Sequence, residues 1–422
     1  MNGLVINKDT QLEPMAYILS EGITIDSDDV TLDGNGATIM GTSKIANQGI
    51  QVSGRKNIVI KNLRVLNYYH GISVQQSSGI EICDCTISLT AEIQSNTLFL
   101  DIWKPASDTY GGAIFLEQVT DANIHDNDLQ HQMNGILSYQ CKRLNVTNNL
   151  ANYCSGFGFH SFETCDSVFE NNYADYCCRY YLSDRGSHLG ADAAGFLIVH
   201  GSSNNVFNKN YARLGGDGFF LAGLTPDGID VGCNNNLFEE NDASYSPNNA
   251  FEGVFSRGNI YQRNKTNHSN YGFWLGFSSD CTLKDNQIHS NRQAGIAVEN
   301  GVNFEVSDND IQNNNHGILI WTRSYEFLKT VPNVNVTSSD WMIERNKLIQ
   351  NKKAIRIAAN QNHGIWQLDG EKTSVLPNNL VIEHNEIRGN NIGIELEQVK
   401  GIQKHENIMD NLIANEIQND VT

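Results

Sequence analysis

Proline is scarce in this chain, with 6 among 422 residues against 36 glycines, so no proline-rich linker or stalk is expected. Long apolar runs are also missing. No stretch of about 18 apolar residues occurs, which excludes a membrane-spanning helix. Positive charge is in deficit: 29 lysines and arginines face 48 acids, for a net charge of −19. Nucleic acid and anionic membranes both require a basic surface, so neither is an expected partner. Charged residues make up 18% and hydrophobic ones 40%, a composition unlike that of a disordered chain. Residues 1–8 lack the basic and apolar regions of a signal peptide, which leaves a cytoplasmic protein or a mature secreted or periplasmic form. The nine cysteines are odd in number and contain no Cys-x-x-Cys pair, against a disulfide framework or a paired-cysteine metal site.

What is abundant is repetition. An apolar residue, two polar residues and an asparagine recur ten times, from Ile124–Asn127 to Ile382–Asn385. The asparagines are spaced 22, 23, 38, 31, 23, 22, 23, 37 and 39 apart, a period of 22–23 interrupted by insertions. Leu63 and Cys85 keep the period without the asparagine. Eight or nine residues after each asparagine in the uninterrupted units comes Gly or Ala, then Ile or Phe, as in Gly71-Ile72, Gly158-Phe159 and Gly317-Ile318. Alternation around these pairs marks a short strand with one buried face. Short strands at this period, punctuated by Asn and Gly, predict an all-β, right-handed parallel β-helix of about 13 coils. The asparagines are expected to stack at a corner, bond along the ladder and tolerate the left-handed backbone there. A leucine-rich repeat would show a leucine consensus and a helix per unit, and neither is present. Residues 1–25 and 402–422 are expected to cap the ends of a single domain, the latter as a cap or a last coil, with the helix over 26–401.

Residues Asp28-Asp29-Val30-Thr31-Leu32-Asp33-Gly34-Asn35-Gly36-Ala37-Thr38-Ile39 resemble the opening coil of pectate-lyase-like and NosD-type β-helix proteins, and the repeats after them resemble the same superfamily. The resemblance covers nearly the whole chain. It implies the fold and not the function, because this fold hosts lyases, hydrolases, epimerases, binding proteins and tailspikes.

The insertions point to a site. Residues near 88–111 and 179–194 enlarge the turn before the Gly-Ile/Phe strand. Those near 223–233, 323–339 and 360–377 enlarge the turn after it. Loops on a rigid scaffold carry function, and these two sets would wall the outward face of one sheet. By alternation that face carries Ser73, Phe115, Leu137, His160, Leu197, Phe220, Glu252, Trp274, Ala297, Leu319, Arg356 and Glu395. Two residues further along lie Glu117, Tyr139, Phe162, Val199, Glu299 and Trp321. Aromatic faces stack on sugar C–H surfaces while carboxylates handle protons, so a sugar groove is favoured over the alternative, a second core buried by the loops.

Glycoside hydrolysis needs two carboxylates across the scissile bond. Glu252 is the leading outward acid, and Asp217 enters the strand one coil earlier. His160 is the candidate base or orienting group. Glu163 and His200 sit at strand exits, Arg185 and His188 lie in the 179–194 insertion, and Asp227 and Asp230 lie in the opposite wall. Phe220, Trp274, Glu299 and Trp321 complete the expected substrate-binding set. Each has a plain structural alternative: turn, solvated loop or surface. Polygalacturonase and pectate-lyase motifs are missing. Tyr271-Gly272-Phe273 is similar to the start of an alginate-epimerase motif, yet continues as Trp274-Leu275-Gly276, which removes the acid and the histidine. No cofactor or metal site is expected, with calcium held by carboxylates of neighbouring coils left open. Cys154 and Cys177, and likewise Cys141 and Cys165, should neighbour each other on adjacent coils.

The leading expectation is therefore a glycoside hydrolase acting on an oligo- or polysaccharide. Behind it stand a lyase or epimerase, a NosD-type periplasmic binding or accessory protein, and a structural β-helix of tailspike or adhesin type. The chain is expected to be a monomer or homo-oligomer, a trimer included.

Overall fold

The computed structural model describes residues 2–94, 98–183, 186–189, 193–325, 330–359 and 374–421. The chain divides into two compact units, Met1–Asp217 and Gly218–Thr422. Each is a stack of coils, and the strands of successive coils pair in parallel.

In the first unit a typical coil runs through strands His70–Gln75, Ser78–Cys83 and Thr86–Ser88. Each belongs to a different sheet. Ile72 pairs with Ile50, Ile80 with Ile58 and Ile87 with Val65 in the preceding coil. All six side chains are buried, so every coil adds one apolar layer to a continuous core. Larger side chains fill later layers, where Phe159 stacks on Phe196 at 4.7 Å and Phe169 on Phe207 at 4.9 Å. The small residue before each inward Ile or Phe is set by space. A Cβ on Gly71 would lie 2.2 Å from Ile87 Cγ2 and 2.7 Å from the Ala113 carbonyl oxygen.

The second unit repeats this plan. Strands Ala294–Glu299, Val302–Ser307 and Asp310–Gln312 form one coil. They pair with Tyr271–Trp274, Ser279–Lys284 and Gln287–His289 of the coil before. Phe219, Phe251 and Phe273 stack in sequence at 4.7 and 5.2 Å. Strands already begin at Leu4–Ile6, and Ile392–His405, Ile408–Asp410 and Ala414–Val421 carry the coil pattern through residues 402–421.

The asparagine ladder forms as the repeat implies. Asn149 accepts from the Asn127 backbone N–H at 3.2 Å and from its amide at 2.9 Å. It donates to the Ile124 carbonyl at 2.9 Å and to Asn172 Oδ1 at 3.1 Å. Asn286 in the second unit makes the same bonds to Asn309 and the Tyr261 carbonyl. One expectation needs correction. The left-handed residue is not the ladder asparagine but the one before it, such as Asn148 at φ 57°, Asp285 at φ 54° and Asp308 at φ 59°. The ladder residue needs its amide turned inward, and its predecessor makes the bend.

Five residues after the ladder lies a second buried column. In the second unit it becomes another asparagine ladder, Asn291, Asn314, Asn351 and Asn390. In the first it holds Cys154 and Cys177, which are buried, with their thiols directed to the Leu129 and Ala151 carbonyls at 3.9 and 3.3 Å. Cys165 donates its backbone N–H to the Cys141 carbonyl at 3.0 Å. All nine cysteines are free thiols.

Candidate functional site

The outward column of the first sheet has the predicted register. Ser73, Phe115, Leu137, His160 and Leu197 are successive partners in the first unit. Phe220, Glu252, Trp274, Ala297, Leu319, Arg356 and Glu395 are successive partners in the second. The two stretches differ in what covers them.

In the first unit Phe115, Leu137, His160 and Leu197 are all buried. The insertion before Gly112 reaches over them, and Thr109 Oγ1 lies 2.7 Å from the Tyr139 hydroxyl. His160 is enclosed by Phe157, Tyr139 and Phe162, with ring centroids 5.4, 5.1 and 6.3 Å away. Neither ring nitrogen has a hydrogen-bond partner among the described residues. Burial pushes its pKa down to about 3. This stretch is the covered second core, and His160 is a neutral imidazole inside it rather than a base on an open floor.

Glu163 and His200 come together at the strand exits, with Oε1 and Nδ1 3.0 Å apart. Gln118 donates to Gln140 at 2.9 Å and Gln140 to Glu163 at 2.8 Å, so a polar row runs along the turn. His200 stacks on Phe162 at 4.3 Å and meets Trp103 of the insertion edge-on at 6.3 Å. Arg185 lies outside the described residues. His188 lies on a described hairpin strand, Gly186–Leu189, where it pairs with Tyr181, but its side chain is outside the described set. An open groove of about 680 Å³ occurs over earlier coils, lined by Gln51, Ser73, Gln75, Glu117 and the insertion residues Ser107 and Asp108.

Asp217 is buried and is the last residue of the first unit. Its backbone N–H donates to the Ala193 carbonyl at 2.9 Å. Asp227 and Asp230 brace their own loop. Thr225 Oγ1 bonds Asp227 at 2.5 Å, and Arg257 bonds Asp230 at 2.9 Å.

In the second unit the floor is partly open. Phe220, Glu252 and Trp274 are half-buried and lie on three consecutive rungs. Glu252 keeps part of its surface open, yet its carboxyl sits deep enough that burial raises its pKa to about 7. The Asn249 amide donates to its Oε2 at 2.5 Å and opposes that shift. Trp274 meets Tyr271 at 4.9 Å and Trp321 at 5.4 Å, both edge-on. Trp321, expected as an open subsite, is buried in an apolar cluster with Tyr271, Ala294, Ala297 and Leu319. It supports Trp274 from behind instead of meeting a ligand.

Glu299 is also buried, and burial raises its pKa to about 7. The Tyr325 hydroxyl donates to its Oε1 at 2.7 Å, and Arg323 adds a nearby positive charge, both favouring the anion. Tyr325 and Arg323 were not singled out in the sequence. They lie in the insertion that follows the strand, where no periodicity marks a residue. Glu252 and Glu299 are two rungs and two residues apart, about 12 Å between Cα atoms by strand geometry, and Trp274 occupies the rung between them. Farther along, Arg356 is held by Glu395 and by Glu397, the latter at 2.8 Å, and Lys353 by Glu395 at 2.6 Å.

The strand order and sheet pairing define a right-handed parallel β-helix. Residues 105–226 and 221–336 match the family described as the right handed beta helix region, and the chain belongs to that family. No curated protein is matched. Among solved structures, the chain is similar to the A-module of the mannuronan C-5 epimerase AlgE4 from Azotobacter vinelandii. Identity is 14%, covering 100% of this chain and 91% of that one, with a TM-score of 0.48. It is similar to the periplasmic alginate epimerase AlgG at 11% identity, 95% and 79% coverage and a TM-score of 0.41. It is similar to the DFA-IIIase of Arthrobacter chlorophenolicus at 13% identity, 71% and 67% coverage and a TM-score of 0.39.

Proposed function

We propose that this protein is a carbohydrate-active enzyme, a glycoside hydrolase that cleaves an oligo- or polysaccharide on the first sheet of its second unit. The observation that carries this reading is Glu252, a carboxyl raised to about 7, on the rung next to the half-buried indole of Trp274. A sugar ring stacked on Trp274 would bring its glycosidic oxygen to a carboxyl that still holds its proton near neutral pH. Glu252 is the general acid in this scheme. Glu299 is the second carboxyl. It has a hydroxyl donor and a neighbouring guanidinium to stabilise its anion, whereas Glu252 has a neutral amide, so Glu299 is the better base. Elimination or epimerisation is the second choice within the class. A uronate substrate would need a free cation on the floor, and Arg356 is already engaged by two glutamates.

The test is a screen of neutral and acidic oligo- and polysaccharides, reading reducing ends together with the ultraviolet absorbance of unsaturated products. The expected result is new reducing ends without absorbance, reduced at least about 100-fold in Glu252→Gln. Absorbance would move the assignment to a lyase. Undiminished cleavage by the variant would remove Glu252 from the chemistry.

A further inference from the structure

On the second sheet of the first unit, away from the floor described above, three side chains of different chemistry converge. Glu81 and Cys83 are two apart on one strand and point outward, and His125 is the direct partner of Cys83 on the next coil. One ligand atom from each lies within 4.8 Å of the others. His125 Nδ1 is 2.7 Å from Asp126 Oδ2, so that nitrogen carries the hydrogen. His125 Nε2 lies 3.3 Å from Glu81 Oε1, a contact bridged by a proton in the imidazolium and open to a metal ion when the ring is neutral. The separation matches the edge of a tetrahedron with metal–ligand bonds of about 2.0–2.1 Å, roughly 3.3 Å.

We propose that Glu81, Cys83 and His125 form a site for a borderline divalent cation of the zinc class, with Asp126 as a positioning residue that fixes the imidazole. Carboxylate, thiolate and imidazole together suit such an ion better than calcium or magnesium, which take oxygen ligands. The carboxylate behind the histidine is the usual support for a metal-bound imidazole. Glu81 borders an open trough of about 410 Å³ with Asn57, Asp121 and Asn123, which gives the ion access. Binding releases the Cys83 proton to solvent. Lys61, the partner of Cys83 on the preceding coil, and Asp84 beside it are the other charged groups facing the thiol. The ion would tie together two coils whose strands are separated in sequence by the 88–111 insertion. This inference does not depend on the proposed hydrolase.

The full chain, stripped with a chelator, would be titrated with Co²⁺ and then with Zn²⁺. The expected result is one saturable equivalent with a thiolate-to-cobalt charge-transfer band and tetrahedral d–d bands, bleached by zinc. Cys83→Ser loses the charge-transfer band. Asp126→Asn keeps it but binds about 10–100-fold more weakly, and this variant guards against a ligand substitution that merely unfolds the coil. Absence of saturable binding overturns the site. So does a band that survives Cys83→Ser and disappears in Cys165→Ser.

Discussion

Glu252 and Trp274 are direct partners on adjacent rungs of one parallel sheet, so a carboxyl raised to about 7 lies beside the half-buried indole. The shift has a sign that kinetics can read. As the proposed general acid Glu252 must be protonated, so its contribution falls as pH rises through about 7. As the proposed base Glu299 must be ionised, and its contribution falls as pH drops through about 7. Together they predict a narrow bell in kcat/KM centred near neutrality. Glu252→Gln should lower kcat by 100-fold or more at and below neutral pH with KM little changed, and the difference should narrow as pH rises above about 7. Glu299→Gln should remove the acidic limb. A broad plateau from pH 5 to 9 would contradict both assignments.

His160 makes a separate prediction about stability. Its folded value is about 3, while an exposed histidine titrates near 6.5. Below pH 6.5 the unfolded chain takes up a proton that the folded chain refuses, so stability is lost as pH falls from about 6.5 toward 3. His70, buried and also lowered to about 3, acts in the same direction. Each contributes a slope of up to about 1.4 kcal/mol per pH unit. Phenylalanine suits the surroundings of His160, among Phe157, Tyr139 and Phe162. His160→Phe should therefore raise the urea midpoint at pH 5 more than at pH 7. Equal shifts at the two pH values would show that His160 is not a buried neutral group.

The sequence was most legible where a residue type serves the repeat. The asparagine period, the Gly-Ile/Phe pair and the inward–outward alternation predicted the strands, their register and the order of the floor residues, because each coil repeats the same steric problem. Burial of the floor was less legible. It depends on insertions that lie outside the repeat, and their cover distinguishes enclosed His160 from half-open Glu252. Trp321 fell on the expected column but packs behind Trp274, a choice set by its neighbours Ala297 and Leu319. Tyr325 and Arg323 carry no periodic signal at all. Glu81, Cys83 and His125 were invisible because 42 residues separate the two partner positions, and only the 88–111 insertion explains that interval.

The ladder asparagines should be among the most sensitive positions in the chain. Asn149→Ala would leave the Asn127 N–H groups without their acceptor and the Ile124 carbonyl without its donor, all buried. Each orphaned group costs about 1–3 kcal/mol, so a loss of roughly 3 kcal/mol or more is expected in urea unfolding. Asn145, four residues earlier, is exposed, and among the described residues its side chain bonds only Asn123 across the sheet surface. Asn145→Ala should stay within about 0.5 kcal/mol of the parent. Equal effects at the two positions would mean that the ladder does not carry the stability assigned to it.

The cysteines provide a chemical test of the same core. Seven of the nine free thiols are buried, and only Cys165 and Cys178 are partly exposed. Burial pushes Cys85, Cys141 and Cys281 up to about 12 and Cys83 to about 11, which suppresses the reactive thiolate. The neighbouring Cys177 thiol and burial push Cys154 up as well. A disulfide-exchange reagent should therefore modify no more than two thiols quickly in the native protein and all nine in denaturant. The melting temperature should not respond to a reducing agent, because no disulfide holds the coils. Rapid modification of four or more thiols under native conditions would show that the coils around Cys154 and Cys177 open far more readily than their packing allows.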